Sequence, residues 1–195
     1  MGLIPVPADH VGTVVTTLEM RVRPLLGPIP PSPLCLERWR APDPARYRAL
    51  FRRVGEPWLW YSRLTMDDSR LLAIVHDKRV EVFAVLDGAG AEVGLLELDL
   101  RHEGVTEISY FGLVPELAGR GHGRWLMARA LDLAWRSGTG RIWLHTCTLD
   151  HPRALGFYRA QGFAATGRTL ETFPDPRLAG ILPRDAAPHI PLLGG

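Results

Sequence analysis

The segment from Glu107 to Arg124, EISYFGLVPELAGRGHGR, has the residue types and spacing with the clearest chemical potential in the chain. A strand-like run passes into a loop that contains Gly119, Gly121 and Gly123, and this loop opens a helix. Glycine lets a backbone approach a ligand closely, and the first N–H groups of a helix lack internal partners and lie at its positive end. The pattern is typical of a loop that binds phosphate groups, although a glycine-rich turn without a ligand has the same local sequence.

Two familiar phosphate motifs do not fit this loop. The dinucleotide fingerprint G-x-G-x-x-G belongs after the first strand of a βαβ unit, whereas here several strands come first and the spacing leads to Leu126. The motif that ends in G-K-[ST] needs a lysine where Arg124 follows Gly123. Arg120 and Arg124 nevertheless add positive charge to the loop.

The loop resembles the acetyl-CoA motif of the GCN5-related N-acetyltransferase (GNAT) superfamily, [Q/R]-x-x-G-x-[G/A], which also stands between a strand and a helix. The matching residues run from Ala118 to Gly123, and Pro115-Glu116 just upstream is also similar to the family. The first position departs from the pattern, because Ala118 replaces glutamine or arginine. Backbone amides bind most of the pyrophosphate in this family. The match at Gly121 and Gly123 therefore matters more than the side chain at Ala118.

A second family motif, N-x-x-A-x-x-x-Y-x-x-x-G-F, resembles the sequence from His151 to Phe163. Ala154, Tyr158 and Gly162 match in register, while His151 replaces the usual asparagine. Helical spacing places Ala154 and Tyr158 on one face. Together the motifs identify a GNAT-like region that covers about residues 79–173.

The resemblance implies a direct transfer, in which a neutral amine attacks the thioester of acetyl-CoA. It also implies that the strands of Glu107 and His145 splay apart and that pantetheine fills the gap. Tyr158 matches the general acid of the family, and a phenol of unperturbed pKa ~10 is protonated at neutral pH. The residues expected to bind acetyl-CoA are Leu113, Val114, Ala118, Gly119, Arg120, Gly121, His122, Gly123, Arg124 and His151.

The general base has two candidates. Glu107 lies where some GNAT members use a glutamate, but a carboxylate is a weak base unless burial raises its pKa. His145 has a side chain whose ordinary pKa suits neutral pH. Each of them could instead be structural, Glu107 as a solvated or ion-paired strand residue and His145 as a hydrogen-bonded one.

Other chemistries have weaker support. Cys147 and His145 are two apart on one strand face, where a Cys–His acyltransferase would also need an orienting group. No metal is predicted, because His145, Cys147 and His151 lack a fourth partner at the usual zinc spacing. The departures at Ala118 and His151 leave open a non-catalytic acyl-CoA sensor or interaction domain with the same fold.

The elements that must position these residues alternate along the chain. Prolines concentrate before residue 45 and after residue 173, so the regular core should run between them, with an added N-terminal strand at Thr13–Arg23. The pattern predicts the order β-α-α-β-β-β-α-β-α-β. A first helix should begin at the Asp43-Pro44 cap, further helices are predicted at 67–75, 121–136 and 152–161, and a strand is predicted at Arg141–Cys147. Hairpins followed by βαβ crossovers predict an α/β fold with a mixed, mostly antiparallel sheet and helices on both faces.

Composition sets the remaining expectations. A chain of 195 residues suits one domain, here a GNAT-like domain at 1–173 and a proline-rich tail at 174–195. A net charge of +2 argues against nucleic-acid binding, and the lack of a long apolar run argues against a membrane span. Two cysteines and no secretory signal favour the cytoplasm. The expected acceptor is a small-molecule or protein amine, with Trp58, Trp60 and Tyr61 as acceptor-site candidates, and a homodimer is plausible.

Overall fold

The computed structural model describes residues 2–25 and 27–193. The strands are β1 (His10–Met20), β2 (Cys35–Trp39), β3 (Val80–Leu86), β4 (Glu92–Asp99), β5 (Val105–Leu113), β6 (Arg141–Cys147) and β7 (Ala164–Pro174). The α-helices are α1 (Pro44–Gly55), α2 (Asp68–Val75), α3 (His122–Ala134) and α4 (Ala154–Ala160), and short 3₁₀ turns cover Glu56–Trp58 and Pro115–Leu117.

The seven strands form one sheet in the order β2-β3-β4-β5-β6-β1-β7. Every neighbouring pair is antiparallel except β5 and β6, which are parallel and are joined through α3. The predicted fold class, a mixed and mostly antiparallel sheet in an α/β protein, is confirmed.

Local sequence rules account for α1. The Asp43 side chain accepts hydrogen bonds from the amides of Ala45 and Arg46, at 2.9 and 3.1 Å. Pro44 fills the first helical position, where its missing N–H costs nothing. The apolar residues at helical spacing are all buried against the sheet, and they are Tyr47, Leu50, Phe51 and Val54.

Two adjacent residues of β5 show that helices cover both faces of the sheet. The ring of Tyr110 meets that of Phe51 on α1, with centroids 4.8 Å apart. The ring of Phe111 meets that of Phe157 on α4, with centroids 6.0 Å apart. Because successive strand residues point to opposite faces, α1 and α4 lie on opposite sides.

The strand β2 was absent from the predicted order, and that prediction was incomplete. Its five residues pair antiparallel with β3 at the sheet edge, with Cys35 opposite Leu86. The segment follows a proline-rich stretch and carries Glu37 and Arg38 at its centre, so it is too short and too polar to show a clear alternation.

The N-terminal strand β1 lies inside the sheet, one strand in from the edge strand β7. It separates β6 from β7, so that Val15 is opposite both Cys147 and Thr169. This pairing places Glu171 of β7 opposite Thr13 of β1, near the end of β6.

The C-terminal segment packs on the domain that precedes it. Its buried residues Leu182, Ala186 and Ala187 join Leu59 and Phe173 in a second, smaller apolar cluster. Arg177 organises this segment from within, because its side chain is 1% exposed and lies 2.8 Å from the Asp175 carboxylate. The same guanidinium donates to the carbonyl oxygens of Ala186 and Ile190.

Replacing Arg177 with alanine should lower the free energy of unfolding by about 3–5 kcal/mol, because the Asp175 carboxylate would stay buried without its partner. Arg184, an exposed arginine of the same segment, is the matched control, and its alanine variant should change stability by less than about 0.5 kcal/mol. Denaturant unfolding measures both. Equal losses for the two variants would show that the buried ion pair does not stabilise the segment.

Within the described residues, every helix is too short or too polar to cross a lipid bilayer.

Candidate functional site

The two central parallel strands diverge after their first three residues. Strands β5 and β6 pair only at their beginnings, and the last pair joins Glu107 with Trp143. Beyond it, β5 still pairs with β4 as far as Leu113, and β6 still pairs with β1 as far as Cys147. The facing edges of β5 and β6 are therefore left unpaired and frame a gap, which is the splay that the family resemblance implied.

The gap opens into a cavity of about 1130 Å³. Its walls come from four parts of the chain: the end of β5 with the glycine loop, the end of β6 with the turn after it, the α1–α2 connection, and β7. The predicted site residues that line it are Leu113, Val114, Ala118, Gly119, Gly121, Gly123, Arg124, His145, His151 and Tyr158. Glu107, Arg120 and His122 do not line it.

The glycine loop has a backbone that only glycine adopts easily. Gly119 and Gly121 have φ values of +76° and +86°, in the left-handed region that strains other L-residues. Gly121 is the N-cap of α3 and provides no side chain to bond the first amides of the helix. The loop thus presents backbone N–H groups at a positive helix end beside the cavity, as an anion site requires.

Two arginines flank the loop, and of these only Arg124 was predicted from the sequence. Arg124 and Arg153 both line the cavity. The Arg153 guanidinium lies 3.7 Å from the position that a Cβ on Gly119 would take. Arg153 occupies a variable position of the second family motif, so only the fold shows that it reaches the glycine loop.

The segment between β1 and β2 also reaches this loop. Ser32 Oγ and His122 Nδ1 are 3.0 Å apart and share a hydrogen bond. His122 therefore ties the first turn of α3 to the proline-rich segment, and this bond gives its side chain a partner away from the cavity.

The end of β5 offers backbone groups to the gap at alternate residues. The N–H of Val114 donates to Val93 on the β4 side, and its carbonyl accepts from Leu117. By the alternation of an antiparallel ladder, the backbone groups of Leu113 and Phe111 then point toward the gap. Leu113 is thus placed to pair with an extended ligand, whereas the Val114 amide is already bonded.

Tyr158 lies on the floor of the cavity among aromatic rings. Its ring packs edge-on against those of Phe111 and Phe163, with centroids 6.0 and 6.2 Å apart. Burial, and to a lesser degree the negative charge of Asp150, raises the pKa of the Tyr158 phenol well above its ordinary value. The phenol therefore stays protonated throughout the neutral range.

Glu107 lies at the point where β5 and β6 diverge. It is half-buried and stands opposite Asp99 on β4. Burial, followed by the charges of Asp99 and Glu97, raises the pKa of the Glu107 carboxyl to about 6. The carboxylate is therefore a stronger base than an exposed glutamate, but it does not line the cavity.

His145 and Cys147 share one face of β6, as expected from their spacing. The His145 side chain is exposed and lines the cavity, with its ring 6.3 Å from that of Trp143. Burial and the charge of Asp150 raise the pKa of the Cys147 thiol. A raised thiol pKa disfavours the thiolate that a Cys–His acyltransferase would need.

His151 shapes the turn before α4 and packs on the acceptor side. Its Nδ1 accepts a hydrogen bond from the Arg153 amide at 3.1 Å. Its ring lies edge-on to Trp58, with centroids 5.4 Å apart, and His189 contacts the same indole from the C-terminal segment. The imidazole thus takes part in the turn and packs against Trp58.

The acceptor-site candidates Trp58, Trp60 and Tyr61 all line the cavity. Sequence reasoning missed two carboxylates beside them, Asp150 and Glu171. Asp150 directly precedes the second motif, which is a local signal, whereas Glu171 comes from β7 and is placed only by the pairing of β7 with β1.

The described residues contain no group of three or more histidine, cysteine, aspartate or glutamate side chains arranged to hold a metal ion.

The divergent strands, the glycine loop and the buried tyrosine define the class of acyl-CoA N-acyltransferase folds. The sequence profile described as the acetyltransferase (GNAT) family matches residues 37–163. The chain belongs to this family.

Known proteins with similar sequences are acetyltransferases with different substrates in their names. Over 111 residues the chain is 33% identical to mycothiol acetyltransferase of Beutenbergia cavernae, a match that covers 57% of this chain and 31% of that protein. Over 108 residues it is 31% identical to spermidine N(1)-acetyltransferase of Vibrio cholerae, covering 51% of this chain and 58% of that protein. The chain thus spans less than two thirds of each relative.

A solved structure agrees on the fold. The GCN5-related N-acetyltransferase of Sphaerobacter thermophilus superimposes with a TM-score of 0.58 at 19% identity, covering 83% of this chain and 51% of that one.

Proposed function

We propose that this protein is an N-acetyltransferase that moves an acetyl group from acetyl-CoA to a primary amine of a small molecule or a protein. The observation that supports it most directly is the gap between β5 and β6, which joins the glycine loop to the cavity that Tyr158 lines. Both named relatives are acetyltransferases, which supports the reaction class but not a particular acceptor.

The residues present fit acetyl-CoA. The left-handed glycines and the uncapped start of α3 would hold the pyrophosphate, with Arg124 and Arg153 beside it. The unpaired edge at Leu113 would bind the pantetheine as an added strand. When bound, acetyl-CoA supplies an activated thioester.

The protein's own part in the reaction is to position the two substrates and move two protons. The amine nitrogen bonds to the acetyl carbon while the carbon–sulfur bond breaks. Tyr158 donates its phenolic proton to the leaving sulfur, because it lines the cavity and stays protonated. Glu107 accepts the proton of the amine through a water molecule, since its carboxyl does not line the cavity. His145, which does line it, is the competing base.

Calorimetric titration with acetyl-CoA tests the donor site, with NADH as a comparator. The wild-type protein should bind acetyl-CoA and not NADH. Gly121→Val should weaken acetyl-CoA binding about tenfold or more, because valine at a φ of +86° strains the loop and turns its amides away. Gly88→Val is the control, since nothing lies within 4 Å of its Cβ position and it is remote from the cavity.

The outcomes separate the candidate functions. Acetyl-CoA binding that is equal in both glycine variants would mean that the loop is only a turn. Binding without release of CoA in the presence of any amine of a broad panel would favour the non-catalytic acyl-CoA sensor.

A further inference from the structure

We infer that the acceptor carries a second ammonium group besides the reacting amine, so that the substrate is a small diamine or polyamine held by Asp150 and Glu171. This inference deepens the proposed function and rests on it for the location of the reacting end. It assigns an acceptor class to the cavity from its charges and its aromatic walls.

The charged side chains of the cavity are divided between its two ends. The arginines, Arg124 and Arg153, stand at the glycine loop. The carboxylates, Asp150 and Glu171, stand among the aromatic residues. Within the part of the chain that the structure describes, neither carboxylate has a lysine, arginine or histidine nitrogen within 4.0 Å. The acceptor end therefore has uncompensated negative charge.

Asp150 is held rigidly with one oxygen still available. Its Oδ2 accepts from the Thr146 hydroxyl at 2.6 Å and from the Cys147 amide at 3.0 Å. Its Oδ1 has only a long hydrogen bond, 3.4 Å, from the Trp60 indole nitrogen. Oδ1 can therefore accept a further hydrogen bond from an ammonium group.

Asp150 stands at the reacting end of the cavity. It is close enough to Tyr158 for its charge to raise the pKa of that phenol. An amine that arrives as its ammonium ion would be drawn to Asp150 and so brought next to the proton donor of the reaction.

Glu171 forms a second anionic position, on a different strand. Glu171 lines the cavity and lies two residues before Phe173 on β7, so both side chains point to the same face of that strand. Its charge also adds to the effect of burial in raising the pKa of Tyr61. Tyr61 stacks on Phe173, with centroids 4.8 Å apart and an angle of 27° between the planes. A carboxylate beside this aromatic pair suits an ammonium group, because the opposite charges attract.

Two such positions in one cavity favour an acceptor with two positive charges. An amino acid would bring its own carboxylate between Asp150 and Glu171, where like charges repel. A monoamine would satisfy one carboxylate and leave the other unpaired. A diamine or polyamine satisfies both, and its methylene groups can lie along Trp58 and Trp60.

The test compares 1,4-diaminobutane, 1-aminobutane and 4-aminobutanoate, which share a four-carbon chain and differ in charge. Each is titrated calorimetrically into the protein saturated with CoA, and into the free protein, while CoA release from acetyl-CoA is followed separately. The diamine should bind tightest. Glu171→Gln should lower the preference for the diamine over 1-aminobutane about fivefold. Glu103→Gln, an exposed glutamate outside the cavity, should leave this preference unchanged.

Each outcome counts for or against the inference. Equal or tighter binding of 1-aminobutane or 4-aminobutanoate would overturn it, as would an unchanged diamine preference in Glu171→Gln. Diamine binding that depends on Glu171 but gives no CoA release would overturn the transferase, while the binding site for two ammonium groups stands. Acetylation of 1-aminobutane in preference to the diamine would keep the transferase and overturn the inference.

Discussion

Tyr158→Phe is expected to lower kcat about 100-fold or more while acetyl-CoA binds as before. A proton delivered to the sulfur assists the departure of CoA and prevents the reverse attack, and the Tyr158 phenol is the buried, protonated group that lines the cavity. Phenylalanine keeps the ring that packs on Phe111 and Phe163, so the fold should persist. Steady-state rates and calorimetric binding of acetyl-CoA measure the two effects separately.

Phe163→Leu is the matched control for Tyr158→Phe. It loses packing against the same ring but keeps the phenol, and Phe163 is buried outside the cavity lining. It should lower stability by about 1 kcal/mol and leave kcat within a few-fold. An unchanged kcat in Tyr158→Phe would make Tyr158 a structural residue, and equal losses of kcat in both variants would point to packing rather than proton transfer.

Local patterns in the sequence were enough to predict the strands and helices that carry the two family motifs. The strand at Arg141–Cys147 has the bounds that the sequence predicted, and α1 begins at the predicted Asp43-Pro44 cap. The loop with Gly119, Gly121 and Gly123 was also predicted between a strand and a helix, while the positive φ of Gly119 and Gly121 comes from the structure. These features depend on a few neighbouring residues, so the sequence contains them directly.

The acceptor half of the site depends on contacts between distant parts of the chain. Glu171 reaches the cavity because β7 pairs with β1, which in turn pairs with β6. No local pattern predicts that an N-terminal strand will lie between two C-terminal ones. Leu182 and its neighbours likewise had apolar character without periodicity, and only the fold shows that they cover Leu59 and Phe173.

The chemistry of individual side chains was also only partly predictable. The sequence alone did not decide whether Glu107 is a general base or a structural carboxylate. Its pKa depends on burial and on the charges of Asp99 and Glu97 on the neighbouring strand. The structure gives it a raised pKa and a position at the divergence of β5 and β6, which are the properties of a base that works through water.

Glu107 should therefore produce a break near pH 6 in the pH dependence of kcat/KM. A general base works only when ionised, and burial with the Asp99 and Glu97 charges sets the pKa of Glu107 at about 6. The slope of log kcat/KM against pH should fall by one unit as the pH rises through about 6, whatever slope the ionisation of the amine itself adds. Glu107→Gln should lose this break and lower kcat/KM about 100-fold at pH 8.

Two comparisons decide whether Glu107 is the base. His145→Gln should keep the break near pH 6, because we expect Glu107 to be the group that causes it.

The pH dependence of the stability of Glu107→Gln provides an independent readout. Folding raises the pKa of Glu107, so the folded state holds its proton more tightly than the unfolded state. The stability of the wild type relative to Glu107→Gln should therefore fall as pH rises from about 4.5 to about 6. If the break instead survives in Glu107→Gln and disappears in His145→Gln, the base is His145, and the raised pKa of Glu107 reflects only its burial beside Asp99.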